Sequence, residues 1–288
     1  MVGILASNGG TAAKNPAAVG NLIQKLTHAR DAPPAPRTRL AKIMTGSAVD
    51  RAELRARRDV VSFVRRSNRM RPNQRRAWEA YRDRFVLEVP RLDTSTSIHP
   101  GASLDLVEAF GRDAALIVEI GPGGGESLVP MAEARPQANV LAFEVYQPAI
   151  ARMLAQLART GIDNVRIVEA DAVPAMEHLL PTRSVDEIWL FFPDPWHKSR
   201  HHKRRLLTPE FAALGASRMR PGGVWRIATD WAGYADRIRE VLDSDPSFAN
   251  VHPHGWSPRW AGRPITHFER RGLDAGRQIF DLAYRRVG

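Results

Sequence analysis

Apolar and polar positions along this 288-residue chain change period several times. Trp189-Leu190-Phe191-Phe192 follow Val185 and Ile188 as an almost unbroken apolar run. That is the pattern of a strand covered on both faces and so placed inside a sheet. Pro193 and Pro195 then end it, because neither has an N–H to donate to a ladder. Asp194 is thereby held between two stiffened positions at the strand's C-terminal edge, where open α/β sheets receive their ligands. An Asp-Pro turn is the plainer reading; Trp196 and the basic residues behind it favour the ligand edge.

Strands and helices alternate around that run. Residues 115–120, 140–145, 165–168 and 224–228 read as buried strands, with 185–192 fourth in order. Residues 121–125 form a glycine turn leading to a helix over 126–134. A further helix has Pro148 in its first turn, Ile150, Met153, Leu154 and Leu157 on its core face, and Gly161 as its stop. Thr208-Pro209-Glu210 opens a helix carrying Phe211, Leu214 and Met219, and Trp231, Tyr234, Ile238 and Val241 mark the next. Final strands fall near 279–284 and around Asn250. Ahead of the sheet, residues 104–110 form a helix closed by Gly111. Trp78, Tyr81 and Phe85 have helical spacing, read as a packing face rather than a base-stacking platform. Residues 60–64 suit a short strand or a docking segment. The pattern predicts an α/β fold, with a mostly parallel, doubly wound sheet, helices on both faces and right-handed crossovers.

Charge divides the chain unevenly. Residues 1–76 hold 16 Lys and Arg against 4 Asp and Glu, whereas the remainder holds 26 against 27. A basic arm on a near-neutral body points to a polyanion, and without an apolar face to the arm, to nucleic acid before membrane. Residues 1–59, rich in Ala, Gly, Pro and Arg, are expected to be a disordered extension. Residues 60–100 then form an arm and helix, and 101–288 the catalytic domain. Cysteine is absent, which excludes disulfides and thiolate metal sites, and no apolar run reaches membrane-spanning length. A cytoplasmic protein is expected, with no membrane, metal or obligate protein partner.

The glycine turn reads Glu119-x-Gly121-x-Gly123-x-Gly125. Backbone N–H groups there can face a ligand, yet the dinucleotide fingerprint fails, since its third glycine falls on Glu126. An acid beside the loop suits a ligand that is cationic at that point better than a pyrophosphate. S-adenosylmethionine carries an ammonium and a sulfonium and no phosphate. Glu144 closes the second strand, where a carboxylate can accept from both ribose hydroxyls, and Asp171 follows the third, where it can meet an adenine amino group. Each alone could be a solvated loop acid; three at successive strand ends point to the methyl donor as cofactor.

With these residues assembled, the chain resembles the bacterial tRNA (guanine-N7)-methyltransferase family, whose members are class I, Rossmann-like, S-adenosylmethionine-dependent methyltransferases. The likeness lies in the 119–126 loop, Phe143-Glu-Val145, Asp171-Ala172, Phe191-Phe-Pro-Asp-Pro-Trp-His-Lys198, His202-Lys-Arg-Arg205, Ala228-Thr-Asp-Trp231 and 266–272. It spans roughly residues 60–288, and the 191–198 run is its most specific part. The resemblance implies methyl transfer from S-adenosylmethionine to guanosine 46 in the tRNA variable loop. It assigns Glu119, Glu144, Asp171 and Asp194 to the cofactor, Asp194 also to catalysis, and Lys198, Asp230, Thr266, His267, Phe268 and Glu269 to the substrate. His267 stands where Lys is common in the family, and Pro122 stiffens the loop.

Guanine N7 has an in-plane lone pair and no proton, so its methylation needs no general base there, and positioning carries most of the work. Asp194 and Asp230 can oppose the charge that develops on the purine. Lys198, Arg200, Lys203, Arg204 and Arg205 form the densest basic run of the body, fit for tRNA phosphates, although such a run can also be a solvated helix start. His197, His201 and His202 lack the acids or thiolates a metal site would need. Rival readings are a methyltransferase for another substrate, an RNA-binding adaptor without activity, and a nicotinamide oxidoreductase.

Overall fold

The computed structural model describes Phe63 and residues 67–288. The expectation for residues 1–59, and most of that for 60–64, lies outside the described residues.

Among the described residues seven strands form a single sheet: β1 (Leu116–Ile120), β2 (Asn139–Glu144), β3 (Val165–Glu169), β4 (Val185–Phe191), β5 (Met219–Thr229), β6 (Phe248–Asn250) and β7 (Phe280–Arg286). Their order is β3-β2-β1-β4-β5-β7-β6. The first five run parallel. β7 is antiparallel to β5, and β6 to β7. The expected mostly parallel sheet is therefore correct, with an antiparallel edge. The strand order reverses between β1 and β4, so the crevice where such sheets bind ligands opens at their C-terminal ends.

The core follows from the two-residue period of the strands. Val118, Ile120, Leu141, Phe143 and Val168 face one layer of helices: α2 (Leu106–Phe110), α5 (Ala172–Leu179), α6 (Pro209–Arg218) and α7 (Ala232–Asp243). Ile117, Val140, Ala142, Ile167 and Trp189 face the other: α1 (Pro72–Phe85), α3 (Leu128–Glu133) and α4 (Gln147–Thr160). Trp189 at the centre of β4 is fully buried, as the apolar run requires. α4 begins with Pro148 in its first turn and ends at Gly161, whose φ of 72° suits glycine. The Gln74 side chain on α1 donates to the Pro148 carbonyl at 2.9 Å, seating α1 against the start of α4.

Some elements depart from the sequence reading. The helix after the glycine loop begins at Leu128, two residues late, because residues up to 127 are used by the turn. The apolar pattern does not mark α5 or α8 (His267–Asp274); α5 is short, and α8 is mostly polar and follows an irregular stretch. On α1, Phe85 is buried and Trp78 half-buried, but Tyr81 is exposed.

Candidate active site

The glycine loop leaves β1 in a conformation that side chains resist. Gly121, Gly123 and Gly125 have φ of 68°, 58° and 82°, the left-handed region where a Cβ is strained. At Gly125 a Cβ would also lie 2.7 Å from Met153 Cγ. Glu144, at the end of β2, holds this loop: its Oε2 accepts from Gly123 N at 2.8 Å, and its Oε1 from Val145 N at 2.8 Å and Tyr146 N at 2.9 Å. Burial raises the Glu144 pKa against those three hydrogen bonds and the nearby charge of Arg152.

Glu119 sits one residue before the end of β1 and is 1% exposed. Ser127 Oγ donates to its Oε1 at 2.9 Å, while Oε2 has no partner among the described residues. Burial pushes its pKa to about 8; the Ser127 hydrogen bond lowers it and the charge of Glu144 raises it. A buried carboxylate oxygen left without a donor is costly unless a ligand supplies one. The donor set here, acidic and beside a left-handed glycine turn, fits a cationic group such as the ammonium of S-adenosylmethionine.

Asp171 follows β3 and caps α5, accepting from Val173 N at 3.1 Å, and its own N–H donates to the Thr96 carbonyl at 2.9 Å. A fourth acid escaped the sequence reading. Glu169 lies in register beside Glu144 and is buried; Gln147 Nε2 donates to its Oε2 at 3.3 Å, and Oε1 has no partner among the described residues. Its place at the end of a buried strand was the available signal.

Asp194 is exposed in the loop after β4. Phe192 and Trp196, at φ of 52° and 44°, bracket it. Bulky residues reach that region only when their surroundings hold them there, and such strain gathers at functional loops. Phe192 N donates to the Ala228 carbonyl at 2.7 Å. The charge of Asp194 also reaches buried Tyr234, whose pKa stands at about 12, chiefly through burial. Trp196 lies edge-on to His201 and beneath the Arg204 guanidinium, and the His197 ring meets Trp231 at 4.0 Å.

Lys198 and the 3-10 turn Ser199–Arg204 expose Lys198, Arg200, Lys203 and Arg204. Arg205 departs from the expected row. It is buried: Nε donates to Pro195 O at 3.0 Å, Nη1 to Gly233 O at 3.3 Å, and the guanidinium covers the Tyr234 ring. It ties the Asp194 loop to α7 and does not present its charge to solvent.

Asp230 follows β5, and its Oδ2 accepts from Arg277 Nε at 2.7 Å. The start of α8 reaches the glycine loop, where His267 N donates to Glu126 Oε2 at 2.7 Å. Phe268 is 55% exposed. Thr266 is buried, and its hydroxyl caps α8 by accepting from Glu269 N at 3.3 Å. Glu269 also departs from its expected place at the substrate: it is 1% exposed and turned into the protein. It accepts from Arg259 at 2.7 and 3.1 Å and from Arg263 at 2.6 Å, so its carboxylate does not face the rim. No group of three or more acids and histidines among the described residues could hold a metal ion, and none of their helices is long and apolar enough to cross a membrane.

Comparison with known proteins identifies the family. A family model described as "Putative methyltransferase" matches residues 113–282. The tRNA (guanine-N(7)-)-methyltransferase of Cutibacterium acnes is 51% identical over 81% of this chain and 85% of its own length. That of Nocardioides sp. is 48% identical over 82% of this chain and 91% of its own. The chain belongs to the tRNA (guanine-N7)-methyltransferase family. It is an S-adenosylmethionine-dependent tRNA methyltransferase with a class I methyltransferase fold. Among solved structures, the crystal structure of the 16S rRNA methyltransferase KamB aligns over 64% of this chain and 95% of its own, with a TM-score of 0.46 and 18% identity.

Proposed function

We propose that this enzyme transfers the methyl group of S-adenosylmethionine to N7 of guanosine 46 in the variable loop of tRNA, in the cytoplasm. The observation that carries the reading is the orphaned, buried oxygen of Glu119 beside the glycine turn, on the sheet edge that also carries Asp194 and Asp230. S-adenosylmethionine, when bound, supplies an electrophilic methyl group on a sulfonium. Glu119 would hold the cofactor's ammonium, and Asp171 the adenine amino group. Glu144 has used three of about four acceptor positions on the loop and its own strand end, leaving room for one ribose hydroxyl.

Guanine N7 needs no base to remove a proton, so the protein's task is alignment and charge. Asp194, exposed between two strained aromatics, and Asp230 oppose the positive charge that forms on the purine. A carboxylate accepting from N1–H and N2–H would select guanine over adenine. Lys198, Arg200, Lys203 and Arg204 hold backbone phosphates, and His267 and Phe268 meet the substrate at the start of α8. Arg69, Arg71, Arg75 and Arg76 are exposed at and before the start of α1, the helix seated against α4, and add positive charge for backbone phosphates. In this reading residues 60–100 lead into a catalytic domain of 101–288, with Arg205 and Glu269 serving the site from inside the protein.

Incubating the chain with unmodified tRNA and methyl-labelled S-adenosylmethionine, then mapping the label, tests the proposal. Label at N7 of guanosine 46 is expected. Label on another base overturns the site assignment, and cofactor binding without any transfer to tRNA overturns the catalytic one.

A further inference from the structure

Behind the rim lies a buried ionic cluster that neither the strand pattern nor the glycine loop explains. Arg263 is 1% exposed. Its Nη1 donates to Glu269 Oε2 at 2.6 Å, and its Nη2 to Asp281 Oδ1 and Oδ2 at 3.0 and 2.9 Å. Arg259 completes the group through Glu269. Two cations and two anions thus meet between the 259–263 segment, α8 and β7, with no net charge. Arg263, Glu269 and Asp281 are buried while Arg259 is exposed at the edge of the group; burying three charges demands extensive desolvation, and apolar replacements of such clusters are often as stable or more so. Stability is therefore a weak account of the cluster, and geometry a better one.

The geometry is specific. The Arg263 guanidinium carbon lies 5.4 Å from the Phe191 ring and 5.3 Å from the Phe192 ring, the two residues that lead β4 into Asp194. The same guanidinium is bonded to Glu269 on α8. The 259–263 segment is itself held at Trp260, whose ring lies beneath Arg135 and Arg226 at 4.8 and 4.3 Å. Both arginines are ion-paired to Glu187 on β4. At Gly262 a Cβ would come within 2.8 Å of the Trp260 ring, so the turn into Arg263 is tight.

We propose that Arg263 is a positioning residue for methyl transfer: it sets the start of α8, with His267 and Phe268, at a defined distance from the strand exit that carries Asp194. The inference rests on reading this rim as the guanine-N7 methyl-transfer site. Arg263 touches neither substrate nor cofactor; it acts through Glu269 on one side and Phe191 and Phe192 on the other.

The full chain carrying Arg263→Lys, Arg263→Met or Glu269→Gln tests it. Cofactor affinity is measured by calorimetry and methyl transfer by single turnover with enzyme and cofactor in excess, a rate constant that a smaller folded fraction leaves unchanged. Arg263→Lys keeps the charge but not the bidentate geometry. It is expected to bind cofactor within about twofold of the parent yet transfer methyl roughly 100-fold more slowly, the scale of a small misplacement of reacting groups. Combining Arg263→Lys with Glu269→Gln should slow transfer little beyond the worse single change, because both act through one cluster. A folded Arg263→Lys enzyme with a rate within about twofold of the parent overturns the inference, whatever its thermal midpoint. Failure of all three variants to fold also overturns it, by making the cluster a requirement of folding alone. If the parent makes no N7-methylguanine, the underlying methyl-transfer reading fails instead, before any variant is compared.

Discussion

Replacing Glu119 with Gln keeps the size of the side chain and its acceptor for the Ser127 hydroxyl, so the substitution isolates the effect of charge. In the cofactor-free protein burial lifts this carboxyl to about 8; at pH 7 roughly nine molecules in ten then hold the proton. A cation brought to about 4 Å at an effective dielectric near 20 contributes about 4 kcal/mol. That is nearly a thousandfold in proton affinity, enough to return the group to about 5 and ionise it. Binding of S-adenosylmethionine at pH 7 is therefore expected to release about 0.9 proton more from the parent than from Glu119→Gln. Calorimetry in two buffers of different ionisation enthalpy counts that proton, and the difference between the proteins cancels any proton exchanged by the cofactor's own amine. Equal release from the two would refute the reasoning. The same group sets a trend in the free protein. Between the usual 4.5 and about 8 the native state holds a proton that the unfolded chain has lost, so stability falls as pH rises through that window and levels off above it. Glu119→Gln should lack this slope.

Asp194→Ala should keep the fold, since the residue is exposed, and lose methyl transfer by about 100-fold or more on the scale of a lost transition-state charge partner; unchanged turnover would remove Asp194 from the mechanism. Neutralising Lys198, Arg200, Lys203 or Arg204 should weaken tRNA binding and reduce the slope of log affinity against log salt by about one per charge. Arg205→Ala should behave differently, leaving that slope unchanged and lowering stability by about 1–3 kcal/mol through its stranded carbonyl partners; a filter-binding salt titration beside a denaturant melt separates the two kinds of arginine. Gly125→Ala combines a φ of 82° with a Cβ contact of 2.7 Å and should cost about 1–3 kcal/mol of stability, with weakened cofactor binding. A variant as stable as the parent would show that Met153 gives way freely.

Much of the framework was legible because its causes are local. Pro148, the apolar spacing from Ile150 to Leu157 and Gly161 mark the limits of α4 within one or two residues. Pro193 and Pro195 end β4 whatever surrounds it, since a residue without an N–H cannot donate to a ladder. The acids at 119, 144 and 171 could be placed near strand ends by counting along the same pattern. α5 and α8 were harder to see: one is short, and the other is mostly polar and sits after a long irregular stretch. The antiparallel return of β7 could not be read either, because the direction of an edge strand depends on how the chain crosses the molecule to reach it.

The division is sharpest among residues of the same type. From the sequence alone came the chemistry: acids along the edge of a parallel sheet, a glycine turn that admits a ligand, and a basic run beside them. Which of those charges are free to act was decided in three dimensions. Arg204 and Arg205 are neighbours in a single basic run, yet one is exposed and the other is spent on Pro195, Gly233 and Tyr234. Glu269 lies in the segment whose resemblance assigns it to substrate, yet Arg259 and Arg263 claim its carboxylate. Residue type and period are properties of a short stretch of chain, whereas the availability of a charge depends on burial and on partners, and packing brings those together from distant parts of the sequence.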